Sequence, residues 1–400
     1  MTEPLAPTPT ALAAEIITIP PEQLQAWIAE HLAHMSVAVI DELRAYCTPP
    51  ALQANLRWAD IASRAALAIA ERLPHEPLAA GSANWARGNW AAFAVPKDAA
   101  VHYRCAAELY QQTDEHVIVA RLYTNLVFVQ TDQGEFDDAL VSYKQAQPVL
   151  QALGEEGTFF GLRLEQNYGW LLHNQRRYAD ALQVYETSLA LAQRLDEPVI
   201  ALEIQVNRAV TRGEQGFVTE AIATLLAQRE QAEQLSQELT IPRIDMILGE
   251  VFAILGRVAE GLRRFELARV GFSAQDAPME LGSILIGKAM LFERIGALKE
   301  ARHNYETARV HFLEHEMWPQ VGLALVQGAT ALRLYRTSDS LKLAAAWLDE
   351  AEAIWMARDE GEWLRQIEIE RAALALVEKN ADHALTLLSA KIEQQPLLDA

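Results

Sequence analysis

Apolar positions along this chain recur at helical intervals, and a small residue keeps a longer beat among them. Ala59, Ala99, Ala139, Ala181, Ala221, Gly261, Ala301, Ala344 and Ala384 stand 40 to 43 residues apart. Four residues after most of them comes a large apolar side chain: Tyr103, Tyr143, Tyr185, Leu225, Phe265, Tyr305, Leu348 and Leu388. Three further on is often another alanine, as at Ala66, Ala106, Ala146, Ala268, Ala308 and Ala351. Offsets of four and seven keep these side chains on one helix face. A fixed period of this length predicts stacked helical units, each packing on its neighbours.

Within each unit the pattern predicts a helix, a short turn and a second helix that carries the beat. The turns fall at Gln133-Gly134, Asn174-Gln175-Arg176, Gln215-Gly216, Leu255-Gly256 and Ile295-Gly296. Where two helix backbones cross, a missing side chain lets them approach, and the aromatic four residues on fills the space beside it. First helices have their own small position twelve residues before the beat: Gly169, Ala209, Gly249, Ala289 and Ala372. Several open at proline, Pro198, Pro242, Pro278 and Pro319, where the missing N–H costs nothing. Residues 1–20, rich in Pro and Thr, read as a disordered tail. Residues 21–80 read as a helical cap with a degenerate first repeat (helices near 21–32, 36–46 and 51–72), and 81–400 as an array of about eight hairpins. The expected fold is an all-α right-handed superhelix, an α-solenoid.

Composition narrows the functional classes. A net charge of −20 disfavours a general phosphate-binding surface, so no nucleic acid is expected as partner. No apolar stretch approaches the roughly 18 residues of a membrane span. The acidic N-terminus does not resemble a signal peptide. Two cysteines, Cys47 and Cys105, form no disulfide framework and suit a reducing cytoplasm.

Gly134-Glu-Phe136-Asp-Asp-Ala139-Leu-Val-Ser-Tyr143-Lys-Gln-Ala146 and Arg177-Tyr178-Ala-Asp-Ala181-Leu-Gln-Val-Tyr185 resemble the tetratricopeptide (TPR) pattern. The resemblance covers about 81–393, with a trace at 51–72. The usual TPR unit has 34 residues, so this chain is of a longer form. That form is similar to the arrays of kinesin light chains and LGN-like scaffolds. It is also similar to bacterial signalling proteins, namely MalT-like regulators and proteins in which TPRs precede a CHAT protease domain.

One constellation repeats in phase. Asn125, Asn167 and Asn207 each lie 14 residues before a beat residue, on three successive first helices. The resemblance implies that first helices line the concave face, where such amides hold an extended peptide in O-GlcNAc transferase and kinesin-light-chain-like arrays. An Asn amide donates and accepts, which suits a peptide backbone. The same residues could instead bond only a neighbouring helix. Arg121 and Arg163 share a second position and would meet acidic side chains, and Phe128 and Trp170 share a third and would offer apolar pockets. These seven residues are the candidate peptide-binding set. Later units carry Ile247, Gly287 and Glu370 in place of the asparagine, with Gln327 the nearest substitute.

Other motifs carry less. His311-Phe-Leu-Glu314-His315 spells H-x-x-E-H, but short motifs recur by chance, and no metal or cofactor is expected. His102 and Cys105 have H-x-x-C spacing without a second pair. No nucleophile-elbow or phosphate-loop motif occurs. The Glu-rich run Glu214–Glu238 reads as a solvated helix face, and Trp347, Trp355 and Trp363 as a packed stripe. Pro396-Leu397-Leu398-Asp399-Ala400 resembles the opening of another first helix, so a longer product, or a protein docked on that end, is expected. The combined expectation is a non-catalytic scaffold binding a peptide or protein segment. The alternative is a regulatory TPR arm of a bacterial signalling effector that controls a protease, another partner or a downstream domain.

Overall fold

A computed structural model describes residues 7–48, 51–275, 277–357 and 361–392, and all of its regular structure there is helical. The chain forms two compact units, Met1–Ile244 and Asp245–Ala400. The first begins with α1 (Pro9–Ile16), α2 (Pro21–Glu30), a 3-10 turn at Leu32–His34, α3 (Val37–Tyr46), α4 (Ala51–Ala54) and α5 (Leu56–Ala70). Hairpins follow: α6 (Pro77–Ala94) with α7 (Pro96–Tyr110), α8 (His116–Asp132) with α9 (Phe136–Ala152), α10 (Glu155–Asn174) with α11 (Tyr178–Arg194), and α12 (Pro198–Glu214) with α13 (Val218–Gln234). The unit boundary falls within α14 (Thr240–Ile254), which is followed by α15 (Val258–Ala274). The second unit continues with α16 (Pro278–Arg294) and α17 (Leu298–Glu314), α18 (Trp318–Tyr335) and α19 (Ser338–Met356), and α20 (Gly361–Val377) and α21 (Ala381–Ile392).

The expected disorder of residues 1–20 is corrected over Pro9–Ile16 by α1, and residues 1–6 of that stretch lie outside the described residues. Thr8 caps it by accepting a hydrogen bond from the Ala11 N–H at 3.2 Å. Leu12, Ala13 and Ile16 are buried, and the helix packs on α3 and α5. The Pro/Thr content that suggested disorder belongs to the helix start, where Pro9 opens the first turn. The core then runs continuously from Leu12 to Leu164.

All nine beat positions lie inside, with the alanines at 2 % exposure or less. In the α10–α11 and α14–α15 hairpins the aromatic follower reaches across onto the small residue of the first helix. A Cβ on Gly169 would stand 2.3 Å from Tyr185 Cε1, and one on Gly249 would stand 2.8 Å from Phe265 Cδ1. Glycine therefore serves here by close approach, since interiors leave no slack for an added methyl. Trp347 and Trp355 are buried in the same manner against Gly328 and Gly322, whereas the Trp363 side chain lies outside the described residues, as do Leu388 and 396–400.

Turns follow the sequence. Gly134, Gly216, Gly256 and Gly296 have φ of 77°, 93°, 69° and 74°, the left-handed region that glycine enters freely. In the α10–α11 turn Arg176 holds this conformation at φ 59°.

In the first unit the first helices pack side by side, α8 on α10 and α10 on α12. Each second helix packs instead on the first helices flanking it, as α9 does on α8 and α10, and α11 on α10 and α12. This side-by-side packing of α8, α10 and α12 positions the candidate site.

Candidate functional site

Three successive first helices carry matched stripes at spacings of four and then three residues: Arg121, Asn125 and Phe128 on α8; Arg163, Asn167 and Trp170 on α10; Glu203, Asn207 and Val210 on α12. Such offsets place each trio on one helix face. The helices are continuous through these positions, so backbone groups are satisfied within each helix and only side chains are left to meet a ligand.

The asparagines differ in what they have left to offer. Asn167 donates its Nδ2–H to the Thr124 carbonyl of α8 at 3.0 Å, which ties two first helices together and leaves its amide oxygen as acceptor. Asn207 is 9 % exposed, with little surface for a ligand. Asn125 is half-buried and makes no side-chain hydrogen bond among the described residues.

The arginines differ more sharply. Arg163 is ion-paired through Nη1 with Glu203 of α12, and the same nitrogen donates to Gln166 Oε1 at 3.2 Å. It is therefore neutralised between α10 and α12. Arg121 is exposed and has no carboxylate partner among the described residues. Its guanidinium lies 5.0 Å from the ring centroid of Trp85 on α6, and that of Arg44 on α3 lies 4.3 Å from the same ring. Partial desolvation, then the charge of Arg44, lowers the proton affinity of Arg121. Arg44 is itself held by Asp41 Oδ1 at 3.2 Å and by Ser82 Oγ at 3.0 Å.

The aromatic pair does not form two equivalent pockets. Phe128 is 49 % exposed. Trp170 stacks on His173 with centroids 4.6 Å apart and rings 8° from parallel. His173 Nδ1 in turn lies 3.0 Å from Thr211 Oγ1, so this rung has one face already covered.

Sequence reasoning missed Trp85 and Arg44. Trp85 stands 40 residues before Asn125, in the register of the asparagine column, and reading that column one unit further back finds it. Arg44 comes from the cap and carries no periodic signal.

The remaining motifs are structural. His311 Nε2 is 2.7 Å from the Pro278 carbonyl, and His315 Nδ1 is 2.9 Å from the His311 carbonyl. No cluster of three His, Cys, Asp or Glu stands together among the described residues. Cys47 is buried, its Sγ–H directed at the Ala59 carbonyl at 3.4 Å, and burial pushes its thiol up to about 12. His102 Nδ1 meets Asn84 Oδ1 at 3.0 Å rather than Cys105. The Glu-rich face carries ion pairs such as Arg212–Glu220 at 3.0 Å. In the second unit a cavity of about 480 Å³ opens beside α17 and the α18–α19 turn, lined by Lys299, Arg302, His303, Tyr335 and Ser340 among others. Arg302 there is paired with Glu306 at 2.9 Å. No described helix is long and apolar enough to cross a membrane.

No protein-family model matches the sequence, and no curated protein matches it. Solved structures do match in fold. A Rap protein complexed with Competence and Sporulation Factor aligns with a TM-score of 0.58 at 14% identity, covering 88% of this chain and 98% of that one. The Rap conjugation gene regulator of plasmid pLS20, in complex with the Phr* peptide, aligns with a TM-score of 0.56 at 12% identity, over 88% and 98% of the two chains. A STAND signal-transduction ATPase with a tetratricopeptide repeat sensor, from Pyrococcus horikoshii, aligns with a TM-score of 0.51 at 13% identity, over 84% of this chain and 53% of that one. With the 40-residue beat and the helix–turn–helix units, these likenesses establish the fold as that of a tetratricopeptide-type helical repeat protein.

Proposed function

We propose that this chain is a non-catalytic scaffold that binds an extended peptide or protein segment on the inner face of its first unit. The observation that carries this reading is the in-phase placement of Arg121, Asn125 and Phe128 beside Asn167 and Trp170 on adjacent first helices. Asn125 supplies a free amide, and Asn167 supplies the acceptor left after its bond to Thr124. Each backbone bond to such an amide is worth about 1 kcal/mol net. Two of the structurally similar Rap proteins were solved with a signalling factor or a peptide bound, which suits the same use of the fold. Two free cysteines, one buried, agree with a reducing cytoplasmic setting.

The test is binding of a randomised pool of N-acetylated, C-amidated nonapeptides to the full chain and to the Asn125→Ala/Asn167→Ala/Asn207→Ala variant. Thermal melts of both proteins verify folding. Retained pool binding by the folded triple variant contradicts the amide ladder. A second reading, a sensor arm controlling an effector protein, is favoured by the likeness to the repeat sensor of the STAND ATPase. It predicts that bound peptide alters capture of a partner from the native host.

A further inference from the structure

We propose that the groove of the first unit selects a peptide carrying a carboxylate near one end, bound by Arg121 at the Trp85 platform. This rests on the peptide-binding reading and names the chemistry of the ligand.

Three observations carry it. Arg121, Arg163 and Glu203 occupy one register position on α8, α10 and α12. Glu203 neutralises Arg163, so among α8, α10 and α12 this position leaves one cation unmatched, Arg121 at the α6 end; Arg243 holds the same register on α14. On α6 that register position is Gly81, against whose missing side chain the Tyr110 ring lies, so no acid from that side reaches Arg121. Trp85 is 4 % exposed, and two guanidinium groups lie against it. Asp41 answers only one of them, Arg44, and its Oδ1 also accepts from Ser82 Oγ at 2.6 Å. In a chain of net charge −20, an exposed arginine left unpaired beside a second cation is a specific binding point. A planar guanidinium held over an aromatic ring suits bidentate carboxylate recognition.

Geometry fixes where the acid lies relative to the amides. Packed helices stand about 8–10 Å apart, and an extended chain rises about 3.3 Å per residue. One repeat therefore spans about three peptide residues. A carboxylate on Arg121 is then at one terminus of the bound stretch, with Asn167 about three residues on and Asn207 about six. At the Arg163 position the wall is neutral and offers no equivalent preference.

The experiment is a positional scan of N-acetylated, C-amidated nonapeptides, each pool fixing Asp, Asn, Lys or Ala at one position, with affinity read by fluorescence anisotropy. Fixed Asp near one end is expected to bind about ten-fold tighter than fixed Asn. Arg121→Gln is expected to abolish that difference, Arg121→Lys to keep part of it, and Arg163→Gln to leave it in place. The preference is also expected to shrink as salt rises, because exposed charges are screened. Equal affinity of Asp and Asn pools that still bind in the groove overturns the acid preference and leaves the scaffold reading standing. Failure of every pool overturns both. Inorganic phosphate binding at Arg121 without any preference among peptides assigns the site to a small anion and overturns the proposal.

Discussion

Asn167 commits one N–H to the Thr124 carbonyl of the neighbouring helix, while Asn125, one repeat earlier, makes no such bond. Removing Asn167 therefore loses a part-buried interhelical hydrogen bond and leaves the carbonyl with only its helical partner. Asn167→Ala is expected to cost about 0.5–1.5 kcal/mol. Asn125→Ala, which loses no intramolecular bond, stays within about 0.5 kcal/mol. Urea unfolding of the two single variants separates them, and equal destabilisation contradicts the assignment of Asn167 as a tie between repeats. The consequence for binding is the reverse, because Asn125 has more hydrogen-bonding capacity free for a ligand.

Two glycines on α10 separate what an added methyl does to helix propensity from what it does to packing. A Cβ at Gly161 meets nothing within 4 Å, whereas one at Gly169 stands 2.3 Å from the ring of Tyr185, which is 0 % exposed and has nowhere to move. Gly161→Ala should gain up to about 1 kcal/mol from helix propensity. Gly169→Ala should lose about 1–2 kcal/mol, because overpacking exceeds that gain. Thermal melts of both variants test this, and stabilisation of both would contradict the ring-on-glycine contact. The element pattern was largely legible in the sequence. The beat located the hairpins, and four turn glycines were found where φ is positive. The candidate site was legible in columns but not in pairings. The in-phase Arg, Asn and aromatic positions were visible, yet the Arg163–Glu203 pair was missed although both lie in one register column 40 residues apart. Neighbours down such a column are neighbours in space, so charges of opposite sign there pair with each other before they meet a ligand. The tail was misread because a helix of eight residues is too short for its apolar periodicity to outweigh Pro and Thr content.

Across the whole molecule, buried titratable groups set a direction for stability against pH. Burial raises the carboxyls of Glu165 and Glu293, and each accepts a hydrogen bond from a tyrosine hydroxyl, Tyr143 at 2.6 Å and Tyr305 at 3.2 Å. Desolvation likewise lifts Glu250 to about 7, but its side chain keeps contact with water, so the half-buried pair carries more weight. An acid whose folded pKa is raised binds its proton more tightly when folded, so its stabilising effect is present at low pH and is lost as pH rises through the folded value. Burial lowers His102 and His173, which acts in the opposite sense and favours the folded state as pH rises toward their unfolded value near 6.5. As each raised carboxyl loses its proton the chain approaches its full formal charge of −20, which increases self-repulsion. The melting temperature is therefore expected to be lower at about pH 8 than at about pH 6.5. The double variant Glu165→Gln/Glu293→Gln keeps an acceptor for each tyrosine hydroxyl and is expected to flatten the slope. Melts across this range at fixed ionic strength check both statements. A melting temperature that climbs from neutral to alkaline pH in the wild type would show that the exposed Arg–Glu pairs, rather than the two buried carboxyls, govern the response.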